Sequence, residues 1–435
     1  MPTTKPNPKF AEELSKLNKK LNFMSVINSS ANGKSLFSVK DNLCVKGFES
    51  RAGSKILSGY IPPFNATAVQ RMLDSGYEFV GKTVMDEFGF GSFGTNTDIV
   101  AKNPFDETRV AGGSSSGAAV ATAVIKNHVA IAESTGGSIS NPASFCGVVG
   151  FTPTYGTISR YGLIDYANSL DKVGVMGRRA ADIRAAFDRI KGADNYDSTC
   201  SDSKISSTPT KKLMIIEQLM KGIDSKVLSS FDLLLSKMQG MGYKVEHASL
   251  DIIDKAIPAY YIISMAEAST NLAKYDGYKY GEQGKDFTKK YNDFFCDARS
   301  SFGIEAKRRI VLGTFVRSAS VKDKYYIKAL KFRTALTSKL SSILKDSFLI
   351  SPTMPTVAPK IDEAAGLSLI KAYSMDSLTI PPNLSGLPHI SFPCGYANGM
   401  PIGAQLISSH FNDYALLDFV ESWEKSFKYE FKYNL

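Results

Sequence analysis

Val110-Ala111-Gly112-Gly113-Ser114-Ser115-Ser116-Gly117-Ala118 is followed by Glu133-Ser134-Thr135-Gly136-Gly137-Ser138, whose last serine comes 24 residues after Ser114. The first cluster opens Gly117–Val124, small and apolar, which suits a tightly packed helix. The second closes His128–Ala132, an apolar run of strand length. Helix, strand and Gly-rich turn in that order are the grammar of an α/β fold. Outward from this centre, Ala66–Ser75 reads as a helix running into a strand near Glu78–Val84. Further on come a strand at Lys212–Glu217 and an amphipathic helix at Lys226–Met241. A long helix is expected from about Lys322 to Leu344, then a short buried strand at Phe348–Ser351. Pro-rich turns bracket Ser351–Pro359, and the last strands are His389–Phe392 and Gly403–Ile407. There is no internal repeat. The expectation is one domain over residues 1–435, with a short N-terminal extension (1–35) and an exposed Ser/Asp/Thr-rich loop (195–210).

The 435 residues are 43% apolar and 22% charged, ordinary globular usage, which excludes a disordered, collagen-like or coiled-coil chain. No window reaches the roughly 18 uncharged apolar residues of a membrane helix. Lys and Arg number 52 against 42 Asp and Glu. The surplus is spread along the chain without a nucleic-acid motif, and reads as a solvated basic surface. The five cysteines, Cys44, Cys146, Cys200, Cys296 and Cys394, are scattered and free of CxxC pairs. They read as free thiols in a reducing compartment, with no zinc site and no disulfide framework. The start carries Lys5, Lys9, Lys16, Lys19 and Lys20 but no arginine and no apolar core, which argues against a secretory signal. Glu12 and Glu13 count against a mitochondrial presequence.

Glycines let backbone N–H groups converge on one point, which suits anion or oxyanion binding. Either cluster alone reads more readily as a flexible loop. Neither matches the GxxxxGK[ST] phosphate loop or GxGxxG. A serine nucleophile needs a base, and none of the four histidines, His128, His247, His389 and His410, is beside a cluster in sequence. A lysine is the main alternative. Lys40 ends the strand-like run Leu36-Phe37-Ser38-Val39-Lys40, where burial among hydroxyls and no adjacent carboxylate would lower its pKa, Asp41 pointing the other way. Taken alone, Lys40 is a surface charge.

Together, Lys40, Ser114 and Ser138 resemble the amidase signature family, whose unit is a Ser–cis-Ser–Lys triad. The match extends through Pro142-Ala143-Ser144-Phe145-Cys146-Gly147. Gly81-Lys82-Thr83-Val84-Met85-Asp86-Glu87-Phe88-Gly89-Phe90-Gly91-Ser92 is similar to the A subunits of glutamyl-tRNA(Gln) amidotransferases. So are Gly150–Gly156, Ser159–Leu163, Ser169-Leu170-Asp171, Ala266–Gly277 and Lys307–Thr314.

This resemblance, over nearly all of Lys40–Leu435, implies one large α/β domain with a mixed central sheet covered by helices. It implies a glutaminase releasing ammonia to convert Glu-tRNA(Gln) to Gln-tRNA(Gln). Ser138 would be the nucleophile and Ser114 the relay to Lys40, with the N–H groups of Thr135, Gly136, Gly137 and Ser138 as oxyanion hole. Arg309 and Asp376 would take the α-carboxylate and α-ammonium of glutamine. No metal or cofactor is expected in this chain. ATP and Mg belong on a partner B subunit, which would also meet the tRNA, and a third small subunit is open. The stretch before Lys40 is shorter than in bacterial A subunits. With the lysine-rich surface, it suits a mitochondrial form, a bacterial cytoplasm being the alternative. The family's usual Asp and Arg flanking the second turn are Ser134 and Ser140, which removes an ion pair without stranding a charge. Two other readings stay open: a free-standing amidase for another small amide, and a catalytically silent scaffold subunit.

Overall fold

The computed structural model describes residues 7–31, 34–282, 288 and 290–435. Lys5 lies outside them. Among the described residues, eleven strands form one sheet. They are β1 (Met24–Ile27), β2 (Leu36–Lys40), β3 (Glu78–Thr83), β4 (His128–Ser134), β5 (Val149–Thr152) and β6 (Lys172–Gly177). Then come β7 (Lys212–Ile216), β8 (Lys244–Ala248), β9 (Phe348–Pro352), β10 (His389–Ala397) and β11 (Met400–Ile407). Their order is β1-β3-β2-β4-β6-β5-β10-β11-β9-β7-β8. β2 runs parallel to β3 and β4, and β7 to β8 and β9; the other neighbours are antiparallel. The sheet is therefore mixed.

Every residue of β2, β4, β6 and β11 is buried, as strands covered on both faces require. Alternation divides their side chains. Val129 and Ile131 of β4 join Phe37, Val39 and Val175 under the helices Thr67–Asp74 and Ala180–Ile190. Ala130 and Ala132 face the other way with Val80 and Met176, against the wholly buried helix Ser116–Val124. A third apolar cluster gathers the helices Ala256–Asn271, Lys328–Ile343 and Ile380–Leu384 over Leu349 and Ile407. Lys40 alternates with Phe37 and Val39. It thus belongs to the face that carries the helix after Ser114.

Residues 8–27 supply a helix, Pro8–Leu21, and the edge strand β1, paired antiparallel with β3. The 195–210 segment has no helix or strand; most of it is exposed, but Asp197 and Cys200 are buried. The helix expected from Lys322 begins instead with a π-type turn, Asp323–Ile327, before Lys328–Ile343. No described helix is long and apolar enough to cross a membrane.

Candidate active site

β2 delivers Lys40 to a site with no solvent exposure. Its Nζ lies 2.8 Å from Ser114 Oγ, 2.9 Å from the Glu133 main-chain oxygen and 2.9 Å from Glu133 Oε2. Asn42 Nδ2 donates to the same carboxylate oxygen at 3.1 Å. This corrects the expectation that no carboxylate adjoins Lys40. β4 runs beside β2, and its penultimate residue brings a carboxylate to the amine. Asp41 does point elsewhere, accepting from the backbone N–H groups of Arg51 and Gly53.

Ser114 follows a cis peptide bond from Gly113, and its carbonyl accepts from Asp86 N at 3.2 Å. A Cβ on Gly113 would lie 2.1 Å from Asp86 Oδ2, so only glycine lets the turn pack onto that carboxylate. Burial pushes the Asp86 carboxyl up to about 6, against N–H donors from Asn96 and Gly94.

The second turn links β4 to the short helix Ser140–Phe145. Ser115 N donates to Ser138 O at 3.3 Å, tying the two Gly/Ser turns together. The Lys40–Ser114 leg of the expected relay is thus a hydrogen bond. The Ser138 hydroxyl, however, has no such partner among the described residues. Gly136, Gly137 and Ser138 line a cavity together with Gly89, Tyr260 and Tyr261, and no described acceptor takes their backbone N–H groups. Thr135 does not line it. Its Oγ1 lies 2.6 Å from Glu133 Oε1 and 2.8 Å from Asp171 Oδ1.

Arg309 and Asp376 line this same cavity, although 67 residues separate them in sequence. Arg309, on the helix Ile304–Arg317, is buried. Glu305 accepts from its Nε at 2.9 Å, Tyr166 OH takes one further N–H, and its guanidinium stacks 4.7 Å from the Phe90 ring centroid. Asp376 accepts from Ser92 Oγ and, at 3.4 Å, from Asn141 Nδ2. Burial pushes its carboxyl up to about 6, the Ser92 and Asn141 donors acting against that rise. A cation and an anion in one desolvated cavity can clamp a zwitterion. Gly91, Ser92, Tyr261 and Arg309 also line a larger outer cleft bounded by Ile304, Leu369 and Tyr373.

Ser134 Oγ donates to Asn383 Oδ1 at 3.2 Å, whereas the buried Ser140 hydroxyl has no partner. No charge is stranded at either position. His128 bonds Ser38 on β2 instead of either serine turn, and burial pushes it down to about 3. Among the described residues, no group of three or more His, Cys, Asp or Glu could hold a metal. Sequence reasoning missed Glu133, Asp86 and Asp171. The segments carrying Asp86 and Asp171 stand out in the sequence, but only packing assigns those carboxylates a place.

A family model described as amidase matches residues 36–417. The chain is 40% identical over 421 residues to the A subunit of the glutamyl-tRNA(Gln) amidotransferase of Sulfolobus acidocaldarius, covering 92% of this chain and 86% of that protein. It is 42% identical over 406 residues to the corresponding A subunit of Desulforamulus reducens, covering 90% and 83%. The crystal structure of the Thermotoga maritima A subunit superposes with a TM-score of 0.81 at 32% identity, over 97% of this chain and 91% of that one. A 6-aminohexanoate cyclic dimer hydrolase shares the fold alone, with a TM-score of 0.82 at 21% identity, over 97% and 93%.

Proposed function

Starting from the premise that this chain belongs to the amidase family, we propose that it is the glutaminase subunit of a glutamyl-tRNA(Gln) amidotransferase. The observation that carries this reading is one cavity holding Ser138, Arg309 and Asp376, with the Lys40–Ser114 hydrogen bond behind it. Arg309 takes the α-carboxylate of glutamine and Asp376 the α-ammonium. These contacts lay the side-chain amide against Ser138. Ser138 Oγ attacks the amide carbon, its proton passes to Ser114 Oγ, and the Ser114 proton passes to Lys40 Nζ. The oxyanion that forms meets the N–H groups of Gly136, Gly137 and Ser138, which line the cavity. Return of the proton to nitrogen releases ammonia. Water then cleaves the acyl-enzyme by the reverse relay to give glutamate and free Ser138.

The named relatives support the subunit reading, since each is the A subunit of such an amidotransferase. A partner B subunit would supply the ATP and Mg site and meet Glu-tRNA(Gln). A mitochondrial location belongs to the same proposal and is tested by fractionating the native cell. The opposed charges in the cavity favour glutamine over a neutral small amide, the free-standing amidase reading.

The test is glutamine hydrolysis and tRNA amidation by the assembled complex. Ser138→Ala should abolish ammonia release while external ammonium still supports amidation. Full glutamine turnover by that variant would overturn the assignment.

A further inference from the structure

Behind the triad lies a chain of polar groups whose hydrogens can be counted. Thr135 Oγ1 sits 2.6 Å from Glu133 Oε1 and 2.8 Å from Asp171 Oδ1, and all three side chains are buried. A hydroxyl has one proton and donates once. With both carboxylates ionised, one of these contacts would set oxygen lone pairs against each other at hydrogen-bond distance. One carboxyl therefore carries a proton. Glu133 Oε2 already accepts from Lys40 Nζ at 2.9 Å and Asn42 Nδ2 at 3.1 Å, which suits an anion. Asp171 Oδ2 accepts the backbone N–H groups of Tyr166 and Ala167, both at 2.9 Å, while among the described residues its Oδ1 meets only Thr135.

We infer that Asp171 is held as the neutral acid and donates to Thr135, which spends its own proton on an ionised Glu133, and that Glu133 is the positioning residue for Lys40. Burial, then the charge of Glu133, holds the Asp171 carboxyl well above the usual carboxylate range; Asp165 adds to this. Glu133 presents two acceptors to Nζ, its main-chain oxygen and Oε2, each at 2.9 Å. They occupy both N–H bonds of a neutral amine and leave its lone pair aimed at Ser114 Oγ, 2.8 Å away. When Lys40 takes the proton from Ser114, the ammonium forms beside an anion already in place. Glu133 keeps its charge throughout and exchanges no proton.

This inference rests on the triad reading above, and two measurements separate their failures. Infrared spectra of the purified full chain are taken at about pH 8, above the values near 6 to which burial pushes Asp41, Asp86, Asp376 and Asp413 and above the value near 7 of Glu424. The wild-type spectrum should show a protonated carboxylic C=O band that Asp171→Asn removes. An unchanged band would overturn the neutral-acid assignment, whether or not the protein is a glutaminase. In the assembled complex, Glu133→Gln should lower kcat about a hundredfold with little change in the KM for glutamine. Asp171→Asn, whose amide N–H can donate to Thr135 in place of the acid, should lose about tenfold at most. Wild-type kcat in Glu133→Gln would overturn the role of Glu133. Equal losses in the two variants would overturn the division of labour between the carboxylates.

Discussion

Lys40 shows how much a single residue's role depends on its neighbours. Its amine has three polar partners within 2.9 Å and no exposure, so the pocket fits one tetrahedral nitrogen. Arginine would bring a larger planar cation that stays protonated. Lys40→Arg should therefore lose about as much glutaminase activity as Lys40→Ala, roughly 10²–10⁴-fold for loss of a positioned base. Steady-state kinetics on the complex check this. Asp376 supports a pH prediction. Its carboxyl stands at about 6 in the free protein, so as pH falls through 6 it takes up a proton and no longer attracts an ammonium. The KM for glutamine should rise as pH is lowered below about 6. Asp376→Asn should have a high KM at every pH and lack that step. Asp86, also near 6, faces the same region and remains in the variant. A residual step in Asp376→Asn would therefore belong to Asp86.

At the scale of elements, the site depends on how the turn after β4 meets the start of the helix Ile380–Leu384. Thr379 Oγ1 donates to Gly136 O at 2.9 Å, and a Cβ on Gly137, at φ +152°, would lie 2.2 Å from that Oγ1. Gly137→Ala must push the two elements apart. Overpacking of this kind costs about 1–3 kcal/mol. Because the turn also holds Ser138 and the N–H groups expected to face the oxyanion, kcat should fall by more than the stability loss suggests, about 10²-fold or beyond. Thr379→Ala removes only the hydrogen bond and should cost about 1 kcal/mol. Thermal melts and kinetics on the two variants together separate strain from lost bonding.

Across the whole molecule, Lys40 ends β2 and Ser138 stands in the turn that follows β4, and the two strands are adjacent inside one sheet. Their relative position is therefore as firm as the core beneath them. Phe187 is fully buried on the helix Ala180–Ile190, edge-on to Phe151 of β5 at 5.2 Å. Phe187→Ala should cost about 3–5 kcal/mol through the cavity it leaves. Below its melting temperature the variant should keep wild-type kcat, and activity should vanish with the same transition that near-ultraviolet circular dichroism records. An earlier loss of activity would mean that the site melts independently of the sheet.

The sequence by itself determined the α/β class, the strands β2, β3, β4, β7, β9, β10 and β11 in part or whole, and the helices Thr67–Asp74, Ser116–Val124, Ser225–Gly240 and Lys328–Ile343. Their apolar runs are long and bounded by Gly or Pro, so local pattern and burial agree. The triad was legible only through the family resemblance of Lys40 and the two Gly/Ser turns taken together, since each alone reads as a surface charge or a loop. β1, β5, β6 and β8 were not legible: β1 and β5 are four residues each, β6 carries two glycines, and β8 is half exposed and polar. Their strand character comes from pairing with neighbours, not from their own pattern. The carboxylate beside Lys40 was also beyond local reading. Glu133 is 93 residues away along the chain, and only the parallel register of β2 on β4 brings it to the amine. Likewise, Thr135 stands between Glu133 and Asp171 because β4 pairs antiparallel with β6, whose first residue follows Asp171. Charge environment is a property of distances through space, and the tertiary structure alone decides those.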